Sequence, residues 1–178
     1  DYNYQNVMTA ILTCRLLGVS SQDIISAIKN FTPPRYRNQF IGNYMGKNFF
    51  NDSKATNIDS AIKACRAMKG DTALIVGGYD KGIAYDGFFS CLPDTVKHII
   101  ATGDNVYSIM QFLPSYHEYT FEITSSLERA TQLAVSKDVL NVLFSPTTSS
   151  FDRYSSYVER GEHFDMIVKS LRENGSGE

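Results

Sequence analysis

Three short, mainly apolar segments constrain the fold of this 178-residue chain more than any other feature. They lie at residues 73–76, 98–101 and 139–144, and predicted helices at residues 104–113 and 125–135 fall between the last two. Short apolar runs that alternate with helices are typical of a parallel sheet that is covered on both faces. The pattern therefore predicts an α/β fold, with a Rossmann-like and mostly parallel sheet.

A helical hairpin is predicted ahead of this pattern. Apolar residues at helical spacing indicate one helix that ends at Gly18, and Ser20 with Asp23 predicts the N-terminus of a second helix. Residues 32–34 read Thr-Pro-Pro, and the two prolines favour extended backbone and remove two donors. We therefore predict two units, residues 1–33 and residues 34–178.

The second unit should contain further elements outside the three apolar runs. We predict strands at residues 40–44 and 47–51, a helix at residues 57–69, a closing helix from about Tyr157, and a frayed tail at residues 173–178.

Charge and cysteine content exclude several classes of function. The formal net charge is −2, with 17 basic and 19 acidic residues, which gives no field that would hold nucleic acid or an anionic membrane. The three cysteines are widely spaced and odd in number, which favours reduced thiols and a cytoplasmic protein. No apolar run approaches the roughly 20 residues of a membrane span. The histidines (His98, His117 and His163) are too scattered to predict a metal site.

The turn before the helix at residues 57–69 is unusually polar. It reads Asp-Ser-Lys-Ala-Thr-Asn, and Thr56 with Asp59 fits a capping box, with Asn57 as a second candidate cap. Lys54 opposes the helix dipole at this position, so we expect it to face a carboxylate, a phosphate or water.

Two other polar loops follow predicted strands, at residues 77–82 and 145–152. Each could be ordinary turn chemistry, but the carboxyl ends of parallel strands share one edge of the sheet, where ligands bind. That edge would carry cations (Arg37, Lys54 and Lys81) and hydroxyls (Thr56 and Ser150), which suit carboxylates and phosphates. Neither a dinucleotide-binding nor a P-loop fingerprint is present.

Four motifs together carry a resemblance to a known family. They are NDSKATN at residues 51–57, GGYDKG at 77–82, SPTTSSFD at 145–152 and RGEHF at 160–164. In this order they resemble the C-terminal part of the Mur ligase family. The first motif is similar to the branch that adds D-glutamate to UDP-N-acetylmuramoyl-L-alanine in peptidoglycan synthesis.

The resemblance implies an ATP-dependent amide ligase that forms an acyl phosphate, which the amine of D-glutamate then attacks. It implies that residues 1–33 end the central ATPase domain and that residues 34–178 are the amino-acid-binding domain. The implied D-glutamate contacts are Thr56, Lys81, Ser150, Phe151 and Tyr157. The implied ATP contacts are Asn3, Asn6, Arg37, Asp52 and Lys54.

The resemblance also implies that the P-loop, the Mg²⁺ ligands and the UDP-binding domain lie outside this chain. We therefore expect the chain alone to lack ligase and ATPase activity, and we expect a monomer whose partners are D-glutamate, ATP and the UDP-linked substrate. Two alternatives remain open: a related ligase that adds another amino acid, and a non-catalytic module that binds a small anion.

Overall fold

The structure is a computed structural model that describes residues 2–114 and 118–175. The chain divides into two compact units, Asp1–Pro34 and Arg35–Glu178. The first unit contains helices α1 (Tyr2–Leu16) and α2 (Ser21–Lys29), so the predicted helical hairpin is confirmed. Gly18 takes a φ of 81° after α1, and Ser20 caps α2 by accepting a 3.1 Å hydrogen bond from the Asp23 amide.

The second unit is built on one six-stranded sheet in the order β1-β2-β6-β3-β4-β5. The first two strands pair antiparallel, and every other neighbouring pair is parallel. The strands are β1 (Gln39–Tyr44), β2 (Lys47–Asn51), β3 (Thr72–Val76), β4 (Val96–Ala101), β5 (Thr120–Ile123) and β6 (Asn141–Phe144). The helices are α3 (Ile58–Ala67), α4 (Val106–Met110), α5 (Leu127–Val135) and α6 (Tyr157–Gly175), with a 3₁₀ turn at Phe89–Cys91.

Both faces of the sheet are covered by apolar cores. Along the fully buried strand β3, Leu74 and Val76 contribute to the core that includes α3 and α4, whereas Ala73 and Ile75 contribute to the core of α5 and α6. Successive strand residues point to opposite faces, so a strand that is buried on both sides has to be apolar throughout. The predicted α/β class with a mostly parallel sheet is confirmed.

The structure corrects four details of the sequence analysis. Strand β5 was not predicted, because it is a short edge strand whose residues are only partly buried. Helix α4 has five residues rather than the ten predicted. The cap of α3 is Asn57 and not Thr56. Helix α6 continues to Gly175, so residues 173–175 are helical, and residues 176–178 of the predicted tail lie outside the described residues.

Two further observations concern the state of the cysteines and the length of the helices. Cys14, Cys65 and Cys91 are all free thiols, and Cys65 is buried on α3. Among the described residues, no helix is both long and apolar enough to span a membrane.

Candidate functional site

Three polar loops leave three neighbouring strands of the sheet. Residues 52–56 follow β2, residues 145–152 follow β6 and residues 77–82 follow β3, and these strands stand side by side in the order β2-β6-β3. Because the three strands are parallel, the loops emerge at the same edge of the sheet. We refer to them below as the lysine-54 loop (52–56), the hydroxyl loop (145–152) and the lysine-81 loop (77–82).

The lysine-81 loop is hydrogen-bonded directly to the hydroxyl loop. The Gly77 amide donates to the Pro146 carbonyl at 2.9 Å, and the Tyr79 amide donates to the Ser149 carbonyl at 3.0 Å. In return, Thr148 Oγ1 donates to the Tyr79 carbonyl at 2.8 Å. The segments that carry Lys81 and Ser150 are therefore held together as one surface.

Asp52 links the lysine-54 loop to the hydroxyl loop. It is 5% exposed, and its carboxylate accepts hydrogen bonds from Ser145 Oγ at 2.7 Å and from the Asn38 amide at 2.8 Å. Burial raises the pKa of Asp52 to about 6, while these two hydrogen bonds and the charge of Arg37 oppose the rise. A carboxylate has about four acceptor positions, so Asp52 keeps acceptor capacity for a ligand hydroxyl.

Arg160, in the first turns of α6, makes a second link between these two loops. It is 2% exposed; Nε donates to Ser53 Oγ at 3.1 Å, and Nη2 donates to the carbonyls of Ser53 and Thr148 at 2.8 and 2.9 Å. Burial lowers the pKa of Arg160 to about 10, so the guanidinium stays charged at neutral pH. Arg160 is the first residue of the RGEHF motif, but the sequence analysis assigns it no role in the site, although it is a cation near a helix N-terminus, as Lys54 is.

The predicted D-glutamate contacts differ in accessibility. Lys81 and Phe151 are exposed, whereas Thr56 and Tyr157 are half-buried. Ser150 is 1% exposed, so a ligand reaches its hydroxyl only if neighbouring side chains shift. The structure thus places the five residues on the three joined loops and at the start of α6.

The predicted ATP contacts are divided between the two units. Asn3 and Asn6 lie on α1, where Asn6 is exposed and the Asn3 side chain lies outside the described residues. Arg37 is exposed in the second unit, and its positive charge acts to lower the pKa of Asp52.

Within residues 2–114 and 118–175, no salt bridge joins Lys54 to a carboxylate. Its ammonium lies over the Tyr157 ring, 5.3 Å from the ring centroid, which is a cation–π contact. This contact joins a residue that we predicted on the ATP side to one that we predicted on the amino-acid side.

Several buried polar atoms around the loops have no hydrogen-bond partner in the described part of the chain. A Cβ placed on Gly78 would lie 2.6 Å from the Ser149 carbonyl and 2.8 Å from Arg160 Nη1, so Gly78 packs directly against two of the residues in this group. Buried polar groups are normally paired, and such atoms are candidates for ligand contacts. They are Thr102 Oγ1, Ser149 Oγ, Ser150 Oγ, Asp152 Oδ1 and Arg160 Nη1.

The histidines and acidic residues form no metal site within residues 2–114 and 118–175, where no group of three or more His, Cys, Asp or Glu side chains could hold an ion. His98 pairs with Thr120 at 2.7 Å. His163 bonds Tyr154 at 2.7 Å and Glu128 at 2.9 Å. His117 lies outside the described residues.

Comparison with known proteins finds relatives for nearly the whole chain, although no family model matches it. A UDP-N-acetylmuramoylalanine–D-glutamate ligase of Elusimicrobium minutum is 37% identical over 96% of the chain. Enzymes of the same name from Alkaliphilus metalliredigens and from Thermoanaerobacter sp. are 33% and 35% identical over 97% of the chain. The chain spans only 38 to 39% of the length of these relatives.

Solved structures share the fold at low sequence identity. UDP-N-acetylmuramate–alanine ligase MurC of Thermotoga maritima has a TM-score of 0.64 and 15% identity, and it covers 95% of this chain and 38% of its own. MurF ligase of the same organism, solved in complex with ADP, has a TM-score of 0.60 and 15% identity, with coverage of 92% and 37%.

Proposed function

We propose that this chain serves as the amino-acid-binding part of a UDP-N-acetylmuramoylalanine–D-glutamate ligase of the Mur ligase family. The proposal is supported by 33 to 37% identity to enzymes of that name over nearly the whole chain. In the intact protein, ATP would phosphorylate the carboxylate of UDP-N-acetylmuramoyl-L-alanine. The amine of D-glutamate would attack the acyl phosphate, form the amide bond and release phosphate. Mg²⁺ would be bound by residues outside this chain.

The observation that carries the proposal is the direct bonding between the lysine-81 loop and the hydroxyl loop, by way of Tyr79 and Ser149 at 3.0 Å. It would give a dicarboxylic amino acid one cation, Lys81, on a loop of fixed spacing from the hydroxyl loop, where Ser150 would add a hydroxyl once neighbouring side chains shift to expose it. Charge-assisted hydrogen bonds of this kind contribute about 1.5 to 3 kcal/mol each. Thr56, Phe151 and Tyr157 would complete the surroundings of D-glutamate.

The contribution of these residues to the reaction would be positioning. A bound amino acid whose carboxylates are fixed presents its amine in one direction, and orientation of two reactants lowers a barrier by several kcal/mol. On the nucleotide side, Arg37 would contact the phosphates or base and Asp52 the ribose, with Lys54 beside them. Asn3 and Asn6 would lie toward the adenine.

Substitution of Lys81 in the intact enzyme tests the proposal. We expect Lys81→Ala to raise the KM for D-glutamate by about ten- to a hundredfold, the equivalent of one charge-assisted bond, and to leave the KM for ATP nearly unchanged. Lys169→Ala, an exposed lysine on α6, is the matched control. An unchanged KM for D-glutamate would count against the assignment.

A competition assay distinguishes this function from that of a related ligase. The intact enzyme is supplied with deuterium-labelled D-glutamate together with unlabelled L-alanine, L-glutamate or a diamino acid, and the product is identified by mass. We expect D-glutamate to be incorporated, and preferential incorporation of another amino acid would overturn the proposal.

A further inference from the structure

Residues 102–108, which follow β4, belong to none of the four sequence motifs, yet they hold the lysine-81 loop. The Gly78 amide donates to Asn105 Oδ1 at 2.9 Å, and the Asn105 amide donates to the Gly78 carbonyl at 3.1 Å. Asn105 is 2% exposed. A buried residue therefore fixes both polar backbone groups of Gly78.

The Asn105 side chain also connects this contact to the hydroxyl loop. Asn105 occupies the N-cap position of α4 but makes no side-chain cap hydrogen bond. Its amide nitrogen donates instead to Tyr85 Oη at 2.7 Å, and Tyr85 Oη pairs with Thr147 Oγ1 at 2.7 Å. A side chain that would normally cap its helix is thus used to join two loops.

Glycines allow the two segments to touch backbone to backbone. A Cβ on Gly77 would lie 1.8 Å from the Thr102 carbonyl oxygen, and a Cβ on Gly103 would lie 2.5 Å from the Gly78 nitrogen. Both glycines have positive φ, 111° and 98°. No other residue type fits at such distances, so the base of the lysine-81 loop rests directly on the end of β4.

The tip of the lysine-81 loop is tied to α4 as well. Asp80 Oδ1 accepts from the Gly82 amide at 2.8 Å, which closes a turn around Lys81, and Asp80 Oδ2 accepts from Ser108 Oγ at 2.7 Å. Lys81 lies between two residues whose positions are therefore set from α4.

We propose that Asn105 and Ser108 are positioning residues that hold Lys81 in the orientation that binds the amino acid. This inference rests on the proposed function, because Lys81 is the residue through which both would act. Asn105 sets the base of the loop and its distance from the hydroxyl loop, and Ser108 sets the turn that carries the lysine.

The test is a kinetic comparison of Ser108→Ala and Asn105→Ala with the unaltered intact enzyme. We expect each substitution to raise the KM for D-glutamate by about tenfold, with no change in the KM for ATP, because a loosened loop binds the amino acid with fewer fixed contacts. Ser108→Thr keeps the hydroxyl and should restore the KM. A role confined to folding would lower kcat through the amount of active enzyme and leave both KM values unchanged.

Ser136→Ala serves as the control, since Ser136 is exposed directly after α5 and its hydroxyl donates to the Leu133 carbonyl at 2.7 Å. If Asn105→Ala does not fold, the KM for D-glutamate is measured in Ser108→Ala and Tyr85→Phe instead, because each of these substitutions removes only a hydroxyl. An unchanged KM for D-glutamate in folded Ser108→Ala would overturn this inference and leave the proposed function standing. Failure of the unaltered enzyme to use D-glutamate at all would overturn both.

Discussion

Arg160 joins two loops that lie far apart in the sequence. Its guanidinium donates to the carbonyls of Ser53 and Thr148 and lies 5.8 Å from the centroid of the Phe144 ring. Burial of a cation is unfavourable, which is why the pKa of Arg160 falls to about 10. The hydrogen bonds offset that cost, and the loops lose their common partner if the side chain is removed.

We expect Arg160→Met to lower the free energy of unfolding by about 2 to 4 kcal/mol, because two buried carbonyl groups lose their donor. Chemical denaturation of the chain measures the effect. Arg129→Met, an exposed arginine on α5, should change stability by less than about 0.5 kcal/mol. Equal effects of the two substitutions would show that the buried contacts of Arg160 contribute nothing.

Asp52 should make stability depend on pH. Its pKa is about 6 in the folded chain against an ordinary value of 3.8, so between these values the folded state binds more protons than the unfolded state. Stability is therefore greatest below this window and falls as the pH rises from about 4 to 6, by as much as about 3 kcal/mol.

Asp52→Asn isolates this contribution, since Asp152 also has a raised pKa and changes stability in the same direction. The free energy of unfolding is measured for both proteins as a function of pH. The difference between the variant and the unaltered chain should grow as the pH rises, and the variant should be the more stable protein at pH 7. Curves that stay parallel from pH 4 to pH 7 would contradict the assignment of the shift to Asp52.

Among the elements, the turn before α3 shows how competing signals in a sequence are resolved. Two residues could cap this helix, and Asn57 does so, because its Oδ1 accepts from the Ser60 amide at 2.8 Å. Thr56 lies one residue earlier, in the lysine-54 loop, where it is half-buried.

We expect Asn57→Ala to lower the free energy of unfolding by about 1 kcal/mol, the usual effect of losing an N-cap side chain. Thr56→Ala should have a smaller effect, since Thr56 is not the cap of α3. Urea denaturation of both variants provides the measurement. A larger loss in Thr56→Ala than in Asn57→Ala would assign the cap to the other residue.

The elements also show which strands the pattern of apolar residues can predict and which it cannot. Strands such as β3 are apolar throughout because both of their faces are buried, and that pattern is visible in the sequence. Strand β5 at the sheet edge shows too little burial for a comparable pattern. The proposed site follows the same rule, since Lys81, Ser150 and Asn105 all lie in segments that directly follow recognisable strands. The partners of Asn105 and Arg160, however, are distant in the chain, and local patterns do not report such contacts.

At the scale of the whole molecule, strand order decides which loops meet. The sequence predicted that parallel strands would send their loops to one edge, but it did not predict that β6, the last strand in the chain, would lie between β2 and β3. That placement puts the hydroxyl loop between the two lysine loops. It depends on pairing between distant segments, such as Asn51 with Phe144 and Leu74 with Leu143.

The chain alone should bind or orient substrate groups without activating them. It spans 38% of the length of the relatives it matches, and in the proposed function its residues would position carboxylates rather than transfer a phosphoryl group. We therefore expect no phosphate release above background when the chain is incubated with ATP, Mg²⁺, D-glutamate and UDP-N-acetylmuramoyl-L-alanine. The intact enzyme in the same assay provides the positive control, and the heat-denatured chain sets the background. Phosphate release by the chain that requires D-glutamate would show that the activating residues lie within these 178 positions after all.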